Sequence, residues 1–166
     1  RMEGIRAMQR PLGRFDPNEL RPVARARSDF ALGNLLSLFP QTRQEGIAYL
    51  ETVVGDLREL GHEWGVGYTL LSLAVLAEDD GQYQRALAYI DEGLPLLVAV
   101  DDAPTLANVR FHQGVNHFGL GDLALARSLV TPVANGSPTE SGLNIAYAKH
   151  LLGMIELAEG NQRLAA

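Results

Sequence analysis

The sequence predicts an all-α protein built as a stack of antiparallel helix pairs, and three observations carry that prediction. The first is that the chain matches itself at a step of 40 residues and again at a step of 39. Ala48-Tyr49-Leu50-Glu51 overlies Ala88-Tyr89-Ile90-Asp91 without a gap, Gly81 falls on Gly121 and then Gly160, and Ala86 falls on Ala126 and then Ala165. Ala74, Gly114 and Gly153 form another such column, and Leu57 overlies Leu97. The second is that apolar residues recur three and four apart, as they do on one face of a helix. The third is that no stretch alternates with period two for long enough to make a strand.

The elements follow in order. A helix over 3–13, within a segment 1–14, reads as the second helix of a repeat whose first is missing. The first full repeat, 20–61, holds helices over 20–39 and 41–60. The second, 62–101, holds helices over 64–78 and 82–100. Val66, Leu70, Leu71, Leu73, Ala74 and Ala77 make the apolar stripe of the former, and Ala86, Leu87, Ile90, Leu94 and Leu97 that of the latter. Asp79-Asp80-Gly81 separates them, because glycine takes the left-handed conformation that closes a helix. Pro95 lacks an N–H and crowds the preceding turn, so a kink or an early helix end is expected there. Asp101-Asp102-Ala103-Pro104 reads as a start, with Asp as N-cap and Pro104 in the first turn. The third repeat, 102–138, holds helices over 103–120 and 122–134 and closes in the loop Asn135-Gly136-Ser137-Pro138. The fourth, 139–166, holds a helix over 139–159 and a truncated partner from Asn161. Both ends of the sequence fall inside half-repeats, which leads us to expect a longer parent chain.

The small-residue columns have a steric logic. Where the first helix of a pair offers Gly or Ala opposite Ala on the second, the two backbones can approach closely. Ala74 with Ala86, Gly114 with Ala126, and Gly153 with Ala165 are such pairs. In the first repeat Gly33 and Gly46 meet only if one residue is inserted between them.

Composition narrows the function. Hydrophobic residues make up 46% and charged residues 20%, which is enough to build a core. A net charge of -6 argues against a nucleic-acid surface, which needs clustered Lys and Arg to neutralise phosphates. There is no cysteine, so disulfides, zinc fingers and thiol catalysis are excluded, and a cytoplasmic location is expected. The longest apolar stretches, such as 93–100, are far shorter than the ~20 residues of a membrane span.

Leu70, Leu73, Ala74, Gly81, Tyr83, Ala86 and Ile90 have the spacing of the tetratricopeptide signature, although that repeat usually has a period of about 34 residues. A period near 40, with Gly-Asp-Leu and Gly-Gln-Tyr turns, resembles the C-terminal helical arrays of bacterial STAND-type signalling ATPases, including LuxR-type and AfsR-like transcriptional regulators. The stretches that carry the resemblance are Glu3-Gly4-Ile5-Arg6, Val23-Ala24-Arg25-Ala26-Arg27, Leu57-Arg58-Glu59-Leu60-Gly61, Trp64 and Gly121-Asp122-Leu123-Ala124-Leu125-Ala126. It implies a right-handed α-solenoid that binds a protein, peptide or small-molecule effector and does no chemistry of its own. It also implies nucleotide-binding and helix-turn-helix domains outside the array. The sequence itself holds no Gly-x-x-x-x-Gly-Lys-Ser/Thr loop, and Gly65-Val66-Gly67 lacks the third glycine of a dinucleotide loop.

Other chemistry is weakly signalled. His112 and His117 are five apart and point in different directions on a helix, and His62 and His150 are isolated, so no metal is expected. Glu78, Asp79, Asp80, Asp101 and Asp102 lack the spacing of a calcium loop. Ser28, Ser72 and Ser128 lack a nucleophile-elbow context. No enzymatic activity and no cofactor are therefore expected. In an array of the resembling kind, the first helices of the pairs line a concave face. Arg27, Phe30 and Asn34 are placed there, followed by Tyr68, Leu71, Val75 and Glu78, then Asn108, Phe111, Val115 and Phe118, and then Tyr147, His150 and Met154. Trp64 is assigned to packing. The competing expectation is a structural scaffold that self-associates through exposed terminal helices.

Overall fold

The computed structural model describes residues 22–99, 103–136 and 142–160. Within them lie seven α-helices and no strand. They are α1 Pro22–Ser37, α2 Arg43–Glu59, α3 Glu63–Asp79, α4 Tyr83–Val98, α5 Ala103–Gly119, α6 Leu123–Asn135 and α7 Gly142–Ala158. The protein is all-α over these residues. The expected helix over 3–13, the cap at Asp101, the partner helix from Asn161 and its Ala165 lie outside them.

The helices stop where glycine lets them stop. Gly61, Gly81, Gly121 and Gly160 all have positive φ, between 65° and 84°. After α3, Gly81 N–H donates to Glu78 O and Gln82 N–H to Ala77 O, and after α5 Gly121 and Asp122 do the same with Phe118 O and His117 O. These paired bonds satisfy carbonyls that the helix end would otherwise leave bare. Gly61 and His62 close α2 identically, onto Arg58 O and Leu57 O. The next helix then starts at once. Asp122 accepts from Leu125 N–H at 3.1 Å, and His62 Nδ1 accepts from Gly65 N–H at 3.1 Å. His62 is thus an N-cap, a place more often held by Ser, Thr, Asp or Asn. His62→Ala is expected to lower the unfolding free energy by about 1 kcal/mol. His62→Asn should retain most of it, which urea titration of both variants checks.

Pro95 does not end its helix: α4 runs through it to Val98. Pro132 lies likewise inside α6, which runs to Asn135. Each proline sits at the start of the last turn on an exposed face, so only one hydrogen bond is lost and the ring crowds no neighbouring helix. The other expected boundaries that fall among the described residues move by no more than two residues.

Turns of three residues, 80–82 and 120–122, force α3–α4 and α5–α6 to pack antiparallel. The turn 38–42 is longer, and this is where the first pair departs from the step of 40. Gly33 and Gly46 nevertheless face each other, since a Cβ on Gly46 would lie 2.6 Å from Gly33 O. Ala74 and Ala86 are 1% and 0% exposed, and a Cβ on Gly114 would collide with Val130 on the facing helix. α3 and α4 make a further close approach that the small-residue columns do not include. A Cβ on Gly67 would lie 3.0 Å from Gly93 O. Gly65 and Gly67 are therefore helical residues of α3, and Gly67 is used for packing.

Each helix packs on its neighbours in sequence. In addition the backbones of α1 and α3, of α3 and α5, and of α5 and α7 come close, whereas α2 and α4 meet only through side chains such as Arg85 and Glu51. The core runs between the pairs as Leu50, Ile90 and Val130 on the even-numbered helices, against Leu70, Leu73, Val109, Leu151 and Ile155 on the odd ones. Successive pairs are joined at a fixed place. Arg43, first in α2, donates to Ser37 O and Leu76 O and pairs with Asp80 at 2.9 Å, so it ties together the ends of α1 and α3. Tyr83, first in α4, lays its ring against Gly119 at the end of α5. Exposed ion pairs Arg58–Glu92, Arg85–Glu51 and Arg127–Glu159 bridge the same steps and contribute little each.

Candidate functional site

The odd-numbered helices form one contiguous strip, and the less common side chains of the protein gather there. The four-residue spacing of Trp64 and Tyr68 puts both rings on one face of α3, where they stack with centroids 5.2 Å apart and planes 17° from parallel. Phe30 of α1 meets Tyr68 at 5.8 Å, and His62 meets the edge of Trp64 at 6.4 Å. These rings wall a cleft of about 130 Å³ between α1 and α3, completed by Ala26 and Arg27 of α1. Trp64 is therefore both packing and lining, because one face of its ring covers Tyr68 and the residue borders the cleft.

A second group spans α3, α5 and α7. Phe111 stacks on Tyr147 at 6.1 Å and meets the His112 ring at 5.1 Å. His112 Nδ1 lies 3.1 Å from a Glu78 carboxylate oxygen, and both side chains are 13% exposed. Asn116 is wholly buried, and its Nδ2 donates to Glu78 Oε2 at 2.9 Å and to His112 O at 2.7 Å. Those two bonds fix the orientation of the amide and leave Oδ1 buried without a partner. A largely buried carboxylate and imidazole and a buried amide thus join α3 to α5. Removing Glu78 strands two buried donors, so Glu78→Ala is expected to destabilise the protein by about 1–2 kcal/mol. Asp79→Ala, next to it but 59% exposed, should be close to neutral by the same chemical denaturation.

The residues placed on the concave face by sequence are not one surface. Arg27 and Phe30 line the cleft, and Tyr68 borders it at 38% exposed. Asn34 turns its amide back onto Phe30 O at 2.9 Å. Leu71 belongs to the core: it is 5% exposed and packs with Ala74, Ile90 and Leu97. Val75 and Asn108 are half-buried. Phe111, Val115 and Phe118 are half-buried and pack onto the core formed by α6 and α7, so most of their area faces inward. Tyr147, His150 and Met154 are exposed on α7, and Glu78 belongs to the buried polar group.

His62, His112 and Asn116 were not among those residues. Asn116 had a signal, since steps of 40 and 39 bring it onto Leu76 and Ile155, both buried aliphatics. A polar residue in an apolar column is the anomaly to look for. His62 and His112 carry no comparable mark.

Two further hollows lie away from this strip. One, about 220 Å³, sits between α2 and α4 beside Glu51, Arg85 and Tyr89. The other, about 360 Å³, sits between α1 and α2 beside Arg25, Asp29, Glu45 and Asp56. Burial pushes the Asp29 carboxyl above its ordinary value, against the pull of Arg25. No group of three metal-ligating side chains forms among the described residues, and no helix there is long and apolar enough to cross a membrane. Comparison with family models, with curated proteins and with solved structures gives no match.

Proposed function

We propose that the chain is a non-catalytic recognition array, a right-handed, tetratricopeptide-like solenoid that binds a peptide, protein or small effector along its odd-numbered helices. The observation that carries this reading is the run of half-exposed rings along that strip, Phe30, Trp64, Tyr68, Phe111 and Tyr147, which contact one another in two groups and of which the first three wall a cleft. Rings offer large contact area at small entropic loss, and Arg27 and His150, both exposed, supply orientation beside them. The contact pattern supports the solenoid, because each pair meets only the next and the array can change curvature when a ligand bridges pairs. The resemblance of the sequence to arrays of bacterial STAND-type regulators supports a place in signalling or transcriptional control. The bound state would then be passed to domains of a longer chain.

Thermal-shift screening of the chain against peptides and small metabolites tests the reading. A hit is expected to weaken when Tyr68 or Tyr147, both well exposed, is replaced by alanine. Hits that are indifferent to both variants would place recognition elsewhere and remove the basis of the proposal.

A further inference from the structure

We infer that the cleft between α1 and α3 is a binding site for a small aromatic carboxylate, a phenyl-sized ring bearing one anionic group. The inference rests on the recognition reading and narrows it to a ligand class. Size comes first. A cleft of about 130 Å³ is close to the ~150 Å³ at which an apolar protein cavity holds a benzene ring. Lining comes second: three rings, Phe30, Trp64 and Tyr68, border the cleft, and ring surfaces favour an aromatic guest.

Charge decides the rest. The chain carries a net charge of -6, yet the one charged residue lining the cleft is Arg27. Its guanidinium pairs with no carboxylate among the described residues, whereas its neighbour Arg25 is held by Asp29. His62 adds a second donor. Its Nδ1 accepts the Gly65 N–H, so the neutral ring carries its proton on Nε2. The Thr69 hydroxyl is already engaged, donating to Gly65 O at 2.8 Å. A ring-walled cleft could hold an ammonium by cation–π attraction, but Arg27 repels a cation and attracts a carboxylate.

Trp64 is the only tryptophan, so its fluorescence reports on this cleft alone. Titration with phenylacetate is expected to give a saturable change. The neutral isostere phenylacetamide should bind roughly tenfold more weakly, as expected for loss of a charge-assisted contact, and phenethylamine should not bind. Arg27→Gln, at an exposed position, should keep the helical circular-dichroism spectrum of the parent, reduce phenylacetate affinity to that of the amide and leave the amide unchanged. No saturable response to phenylacetate, equal affinity for acid and amide, or indifference to Arg27→Gln would each overturn the inference. So would a peptide ending in phenylalanine that binds at Trp64 where phenylacetate does not. Should phenylacetate fail while a thermal-shift hit is lost in Tyr147→Ala, the aromatic-acid inference falls and the recognition reading stands. Failure of every ligand on the strip overturns both.

Discussion

Gly46→Ala is expected to destabilise the protein by about 2–3 kcal/mol, while Gly55→Ala in the same helix is expected to stabilise it by about 0.5–1 kcal/mol. Alanine is the better helix former, so helix propensity favours both changes. The surroundings separate them. A Cβ on Gly46 would lie 2.5 Å from Ser37 N and 2.6 Å from Gly33 O, and neither backbone atom can rotate away. A Cβ on Gly55 would meet nothing within 4 Å. Relief of the first clash requires α1 and α2 to move apart, which opens the core around Leu50 and Leu32. Urea denaturation of the two variants gives the two signs directly. Stabilisation by both would show that the first pair is not closely packed at Gly46.

The larger loss is expected from Ala86→Asp, about 3–5 kcal/mol, or a fall in melting temperature of about 10 °C or more. Ala86 is 0% exposed and lies in the core with Ala74 and Ile90. A carboxylate there has no partner and no water, and Ala74 leaves no room for either. Ala88→Asp, two residues on and exposed, carries the same charge into the same helix and should cost less than about 1 kcal/mol. Because each pair meets only its neighbours, loss of hydrogen-exchange protection in Ala86→Asp should centre on α3 and α4. Full stability in that variant would mean that the register of the repeat is wrong.

What sequence reasoning captured and what it missed divide along physical lines. Gly81, Gly121 and Gly160 were readable because a positive φ admits few residues other than glycine, and the chain repeats them in register. Ala74 and Ala86 were readable because close helix contact selects small side chains wherever it occurs. The second approach, Gly67 on Gly93, was not, since no other repeat carries it and helical glycines have several causes. Pro95 does not end its helix, because its cost depends on how much helix remains after it, and here only the last turn does. Leu71 was placed both in the apolar stripe of its helix and on the concave face, and it is buried. A helix packed on both its partner and the next pair buries more of its circumference than one apolar stripe, and ten residues of α3 are buried. The polar group Glu78, His112 and Asn116 depends on which residues of two separate helices meet, a pairing that no local pattern encodes.

Mapping where a ligand touches the chain tests the central claim most directly. Backbone amide chemical shifts, followed while hits from a mixed panel of peptides and metabolites are titrated in, locate each contact without prior choice of site. The account predicts that the perturbed residues cluster on α1, α3, α5 and α7, around Phe30, Tyr68, Phe111, Tyr147 and His150. Clustering instead on the even-numbered helices, around Glu51, Arg85 and Arg127, would contradict it.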